Sequence, residues 1–106
     1  MHGMTVLKTG ARLKSQVDDT ELIVVKAPAG DVALLVGGHP PIDVKAEPEP
    51  GLTLDPAHRD GTLLGKRYTR EAGDIELLVT KGGEGSLSID GEAMFEKESK
   101  PLPSSD

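Results

Sequence analysis

Glycine and proline interrupt the apolar runs of this chain before any of them is long enough to form a helix. The sequence has 13 glycines and 8 prolines in 106 residues, and its clearest aliphatic runs are confined to 22–25 and 32–36. Helices usually need roughly ten residues or more, whereas strands need about five. Short aliphatic runs bounded by turn residues are typical of strands. The pattern therefore predicts an all-β domain, built as a small barrel or sandwich.

Two segments of the chain repeat one another without a gap. Residues 19–30 read DTELIVVKAPAG and residues 74–85 read DIELLVTKGGEG, with identical residues at six of the twelve aligned positions. We call the difference in residue number between Asp19 and Asp74 the repeat offset, and we call two residues separated by it equivalent. The pattern indicates a duplicated unit, although two unrelated hairpins could share it, because alternate burial and glycine turns are generic. In either interpretation the two segments begin related β-hairpins that together close one core.

The strand pattern divides the chain into a folded domain and a tail. Strands are expected at 13–17, 21–26, 32–36, 62–69, 75–81, 86–89 and 92–95. The first three form a hairpin unit over 13–38, and the others form hairpins over 62–95. Asp90-Gly91 is a strong signal for a type I′ turn. Residues 40–61 are proline-rich and predict a loop, with one helical turn where Asp55 caps and Pro56 begins the turn. The domain is thus 1–95, and 96–106 is expected to be disordered.

Composition excludes several classes of function. The net charge is −6 and the aromatic residues are Tyr68 and Phe95 alone, so neither the basic surface nor the stacking platform of a nucleic-acid-binding protein is expected. The absence of cysteine excludes disulfides and thiolate metal sites. No apolar stretch has the length of a signal peptide or a membrane span. We therefore expect a cytoplasmic protein that binds neither nucleic acid nor membrane and needs no cofactor.

The basic residues Lys66, Arg67 and Arg70 cluster within an otherwise acidic chain. Such charges are ordinary on an exposed strand, where they discourage pairing with other chains. The alternative is a small anion site in which Arg67 and Arg70 hold a phosphate or carboxylate. Because side chains alternate along a strand, Lys66, Tyr68 and Arg70 should share one face while Arg67 points to the other. That spacing works against a joint clamp.

His39 is the histidine with the most constrained surroundings. It stands between Gly37-Gly38 and Pro40-Pro41, which would hold its imidazole in a defined place at the end of a strand. A surface-loop histidine without function is the ordinary interpretation. If a metal is bound, the assembly to test is His39 with His58 and a carboxylate such as Asp18 or Asp19. The histidines do not have the H-E-x-x-H spacing of zinc proteases.

Residues 13–41 resemble the small rubredoxin-type iron module of desulforedoxin. In that family a C-x-x-C pair precedes an aliphatic hairpin and a second cysteine pair follows it. Here Ser15 and Asp18 stand at the spacing of the first pair, LIVVKAPAGDVALLV supplies the hairpin, and Val36-Gly37 stands where the second pair would be. The resemblance implies a degenerate module that no longer binds iron. No metal-ligand residue carries over.

Three functions remain open from the sequence. The first is a non-catalytic accessory module that acts through protein–protein contact, with a protein partner or a second copy of the chain. The second is a small-ligand or metal site centred on His39. The third is a small enzyme that uses loop carboxylates with Lys66 and Arg67. The first is the leading hypothesis, because the motifs above supply no complete catalytic set.

Overall fold

The computed structural model describes residues 4–97, which form ten strands in two antiparallel sheets. The strands are β1 (Met4–Val6), β2 (Arg12–Lys14), β3 (Glu21–Lys26), β4 (Asp31–Val36), β5 (Ile42–Asp43), β6 (Arg67–Thr69), β7 (Glu76–Lys81), β8 (Leu87–Ile89), β9 (Glu92–Ala93) and β10 (Phe95–Glu96). One sheet has the order β1–β4–β8–β9 and the other β10–β6–β7–β3–β2–β5. The sheets form a sandwich and not a closed barrel, so the all-β prediction is confirmed in its sandwich form. Within 4–97, no helix is long and apolar enough to cross a membrane.

The core lies between the two sheets and is almost entirely aliphatic. Every second residue of the central strands points into it, as the alternation of a half-buried strand requires. The six-stranded sheet contributes Leu22, Val24, Leu77 and Val79, and the four-stranded sheet contributes Val32, Leu34, Val36, Leu87 and Ile89. Tyr68 is the aromatic member of this core. A core of branched aliphatic side chains therefore compensates for the scarcity of aromatic residues.

The strands β3 and β4 were expected to pair as a hairpin, but they lie in different sheets. β3 pairs with β2 and β7, whereas β4 pairs with β1 and β8. The connection 27–30 carries the chain from one sheet to the other across the core. β7 and β8 are separated in the same way. The physical reason is that both strands bury alternate aliphatic side chains, which can face each other across a core as well as line one face of a sheet.

The two halves of the fold have equivalent strand pairing. In the first half β2 pairs with β3 so that Leu13 lies opposite Leu22. In the second half β6 pairs with β7 so that Tyr68 lies opposite Leu77, which is the same register moved by the repeat offset. The turns before β2 and β6 also correspond, since Gly10 N donates to Val24 O at 2.7 Å and Gly65 N donates to Val79 O at 2.8 Å.

The two repeated strands pair directly with each other at the centre of the six-stranded sheet. In this antiparallel pair Ile23 lies opposite Leu78, its own equivalent in the repeat. On either side, Leu22 faces Val79 and Val24 faces Leu77. In the other sheet, Leu34 of β4 faces its equivalent Ile89 of β8. A local two-fold axis therefore passes between the equivalent strands of both sheets.

Most remaining predictions differ from the structure at element boundaries, although β1 was not expected at all. The strand expected at 13–17 is β2, which already ends at Lys14. Only Arg67–Thr69 of the predicted strand 62–69 is regular, because Leu63–Lys66 forms a turn closed by Lys66 N donating to Leu63 O at 3.2 Å. The predicted strand 92–95 divides at Met94 into β9 and β10, which belong to different sheets. The Asp90-Gly91 turn between β8 and β9 is confirmed, with φ of 51° and 85°.

The loop 40–61 contains two short elements. β5 adds to β2, and a 3₁₀ helix covers Pro56–His58, where the Asp55 side chain accepts a hydrogen bond from Ala57 N at 2.9 Å. This confirms the cap predicted from the sequence. The expected disorder of 96–106 is wrong for Glu96, which pairs with Tyr68, and for Lys97, whose backbone N donates to Arg67 O. Residues 98–106 lie outside the described part of the chain.

We expect Leu77→Ala to lower the free energy of unfolding by about 3 kcal/mol, because Leu77 is fully buried and its removal leaves a cavity between the sheets. Leu64→Ala is the matched control. Leu64 is 68% exposed, so its loss should change stability by less than about 0.5 kcal/mol. Urea unfolding followed by circular dichroism measures both values. Equal effects of the two substitutions would contradict this arrangement of the core.

Candidate functional site

Arg67, one of the predicted anion-binding residues, is engaged in an internal ion cluster. Its Nη1 donates to Glu76 Oε2 at 2.9 Å, and Lys97 Nζ donates to Glu76 Oε1 at 2.8 Å. The Glu76 side chain is only 8% exposed, whereas both cations remain about half exposed. Lys97 and Arg67 together hold the pKa of Glu76 below its ordinary value despite burial. The cluster neutralises a buried carboxylate on the outer face of the six-stranded sheet.

Arg70 is committed to two carboxylates at the turn between β6 and β7. Its Nε and Nη2 donate to the two oxygens of Asp74 at 2.8 and 2.7 Å, and its Nη1 donates to Asp90 Oδ2 at 2.9 Å. Asp90 also accepts a hydrogen bond from Ala33 N at 2.8 Å, so it joins this turn to β4. These contacts lower the pKa of Asp74 and of Asp90. Arg67 and Arg70 thus serve separate internal carboxylates, while the Lys66 side chain is exposed.

His39 occupies the tight turn that follows β4. The residues Gly37 and Gly38 both have positive φ, and Val36 N donates to His39 O at 2.8 Å across the turn. The His39 ring Nε2 lies 2.9 Å from Thr53 O. This contact joins the loop before the 3₁₀ helix to the end of the sandwich. It holds the imidazole in a defined place, as the glycines and prolines around His39 predict.

Asp18 belongs to a polar turn that precedes β3. Its Oδ2 accepts hydrogen bonds from Thr20 Oγ1 at 2.6 Å and from Gly85 N at 2.8 Å. Burial raises its pKa, but hydrogen bonds from Ser15, Thr20 and Gly85 outweigh that effect and leave the pKa lowered. Its Oδ1 is buried without a hydrogen-bond partner among the described residues. Asp18 thereby ties this turn to the loop that follows β7.

Close backbone packing explains the glycine at position 85. A Cβ at Gly85 would lie 3.0 Å from Asp18 Oδ1 and 3.0 Å from Gly37 N. The end of the sandwich is thus held together by the half-buried carboxylate of Asp18 and by backbone that approaches too closely for side chains. His58 contributes its backbone carbonyl there, which accepts from Ser86 N at 3.0 Å.

The residues proposed as metal ligands do not form a metal-binding group. In the part of the chain that the structure describes, no three His, Asp or Glu side chains come close enough together to bind one metal ion, and this includes His39, His58 and Asp18. The known contacts of His39 and Asp18 are instead structural.

A groove of about 410 Å³ lies on the outer face of the six-stranded sheet, between β2, β3 and the end of β7. Because Leu22 and Val24 of β3 point into the core, Glu21 and Ile23 point outward into this groove. The residues that form its charged rim and apolar walls include Arg12, Glu21, Ile23, Val44, Thr80 and Lys81. We refer to this feature as the outer groove.

The equivalent position in the second half is occupied by the chain itself. Val44 N donates to Arg12 O at 3.1 Å, and at the matching place Lys97 N donates to Arg67 O at 2.7 Å. Lys97 extends from there to Glu76, the equivalent of Glu21. Since valine has no long polar side chain, the first half keeps an open groove where the second half has an ion cluster.

Sequence reasoning did not identify Arg12, Glu21, Val44 or Lys81 as site residues. One signal was present, because Glu21 and Lys81 fall among the identities of the repeat, and Arg12 likewise matches Arg67 at the repeat offset. The correspondence of Val44 with Lys97 follows only from the pairing of β5 and β10 with the equivalent strands β2 and β6. Because that correspondence does not obey the repeat offset, an alignment of the two segments does not show it.

Comparisons with protein-family models, with curated proteins and with solved structures found no match to this chain.

The lowered pKa values predict acid sensitivity. A carboxylate whose pKa is lower in the folded state contributes stability above its ordinary pKa of about 4, and this contribution is lost as the pH falls through the folded value. Glu76→Gln should therefore cost about 2 kcal/mol at pH 7, a typical value for charge-assisted hydrogen bonds. The difference in the free energy of unfolding between the parent protein and this variant should narrow below about pH 4. Urea unfolding from pH 7 to pH 2 measures it.

Glu92→Gln provides the control for this comparison, because Glu92 is exposed on β9 and forms no ion pair among the described residues. The free energy of unfolding of this control variant should equal that of the parent protein at every pH. A Glu76→Gln gap that stays constant from pH 6 to pH 3 would contradict the lowered pKa of Glu76.

Proposed function

We propose that this chain is a non-catalytic binding module that acts through protein–protein contact, and that the outer groove is its contact surface. The observation that supports this proposal is the open groove of about 410 Å³ at a place where the other half of the fold fills the equivalent space with Lys97. Protein interfaces are anchored by side chains that enter such pockets and are surrounded by a polar rim. The charged rim and apolar walls of the outer groove have that composition.

The proposal includes an origin of the fold by internal duplication. The matching registers of β2–β3 and β6–β7, together with the self-equivalent pairs Ile23–Leu78 and Leu34–Ile89, support it. Two unrelated hairpins would share alternation but would have no reason to share register and turn geometry. After duplication, one copy kept or gained a lysine that fills the groove, and the other copy presents the groove to a partner.

The charged residues considered for an anion site, a metal site or an enzyme make contacts that favour a structural role over a catalytic one. Arg67 and Arg70 neutralise Glu76, Asp74 and Asp90. Asp18 receives hydrogen bonds from its own turn and from the neighbouring loop. These side chains stabilise the two ends and one face of the sandwich. The groove, by contrast, presents charges to solvent on the central strands, which are the most rigid support the fold offers.

Site-specific photocrosslinking tests the proposed function. A benzoylphenylalanine at Thr80, which is exposed and lines the outer groove, should give a discrete crosslinked product in cells of the native source. The same residue at Glu92, exposed on β9 of the other sheet, is the control and should give none. Mass spectrometry of the product identifies the partner. No product at Thr80, or the same products from both positions, would refute a specific contact at the groove.

A further inference from the structure

We propose that the outer groove recognises an acidic side chain, the carboxylate of a glutamate or aspartate on the partner protein. This inference rests on the proposed function and specifies the chemistry of its contact. Positive charge predominates around the groove. Arg12 and Lys81 line it, and Lys14 lies opposite Glu21 in the β2–β3 register. Together with Glu21, they give this face of the sheet three cations and one carboxylate.

The three cations have no ion-pair partner among residues 4–97. The ion pairs within 4.0 Å in that part of the chain involve Arg59, Arg67, Arg70 and Lys97 as the cations. Arg12 is the equivalent of Arg67, which does have a carboxylate partner in Glu76. In an acidic chain with a net charge of −6, the outer groove is therefore a place where positive charge remains uncompensated.

Asp43, the carboxylate next to Val44 in the chain, does not change this balance. Asp43 of β5 lies opposite Leu13, so it points to the other face of the sheet from Arg12. Its Oδ1 accepts a hydrogen bond from Lys45 N at 2.8 Å within its own turn. Glu21 is thus the one acidic residue that lines the groove with Arg12 and Lys81.

A cationic side chain is the competing occupant, because Lys97 fills the equivalent space in the second half. There, however, the residue equivalent to Lys14 is the neutral Thr69, which lies opposite Glu76. An incoming lysine at the outer groove would be a fourth cation around Glu21. An incoming carboxylate would instead meet a net positive charge, and an arginine can bind it through two parallel hydrogen bonds.

The apolar walls favour a carboxylate that is carried on a hydrocarbon stem. Ile23 and Val44 line the groove beside Arg12, so the methylene groups of a glutamate side chain could pack against them while the carboxylate reaches the guanidinium. Val44 therefore has two effects on the outer groove. Its short side chain leaves the groove open, and its methyl groups form an apolar wall.

Peptide titration provides the first test. The amide resonances of the purified protein would be followed by NMR while acetyl-Gly-Glu-Gly-amide or acetyl-Gly-Lys-Gly-amide is added to millimolar concentrations. We expect the glutamate peptide to shift amides of β2, β3 and the end of β7, and Arg12→Gln to weaken this binding at least fivefold. Lys66→Gln removes an exposed positive charge outside the groove and should leave it unchanged. Preference for the lysine peptide, or equal shifts with both, would overturn the proposal.

Substitution at position 44 provides the second test. Val44→Glu places a carboxylate inside the groove, so it should abolish the shifts caused by the glutamate peptide and raise the thermal midpoint relative to Val44→Gln. Val44→Lys should not raise the midpoint above that of Val44→Gln. The reverse order of the two charged variants would show that the groove selects a cation through Glu21, and would overturn the proposal.

These outcomes separate the two proposals. If photocrosslinking at Thr80 captures one partner and neither Arg12→Gln nor Val44→Glu reduces the yield, the binding module stands and the acidic anchor is refuted. If no partner is captured, the proposed function fails. The peptide titration then still decides whether the groove has the chemistry inferred for it.

Discussion

The pairing of β3 with β7 is the interaction on which the rest of the structure depends. It joins the two repeated segments from opposite halves of the chain and places Ile23 opposite its own equivalent Leu78. Each half alone contributes only short strands, and short strands are not stable without a further sheet to cover their apolar face. The central pair aligns Leu22 and Val24 with Val79 and Leu77 on one face, and β4 with β8 then cover that face.

Near-symmetry makes the differences between the halves informative. Equivalent strands have the same register, so a difference at one position reflects a change of side chain and not a change of fold. At the outer groove that change is valine for lysine, since Val44 occupies the place of Lys97. On the side of Lys97 a buried carboxylate is neutralised by two cations. On the side of Val44 the space remains open and its cations remain unpaired among the described residues.

Sequence reasoning located the strands better than it located their partners. The segment 21–26 was expected as a strand and is one, and 32–36 lies within β4. Their expected pairing was not found, because alternate burial specifies which face of a strand is apolar but not which strand lies beside it. The basic cluster at Lys66, Arg67 and Arg70 was also visible in the sequence. Its partners Glu76, Asp74 and Asp90 were not, since ion pairs depend on turns and register.

The sequence by itself determined that the chain is all-β, that its core is aliphatic, and that Asp90-Gly91 forms a turn with positive φ. These properties depend on short-range preferences of backbone and side chains, which are encoded in neighbouring residues. Only the tertiary structure decided that β3 pairs with β7 and that Val44 stands where Lys97 stands in the other half. Such contacts depend on how distant segments meet, which local preferences do not specify. The outer groove is a product of that assembly.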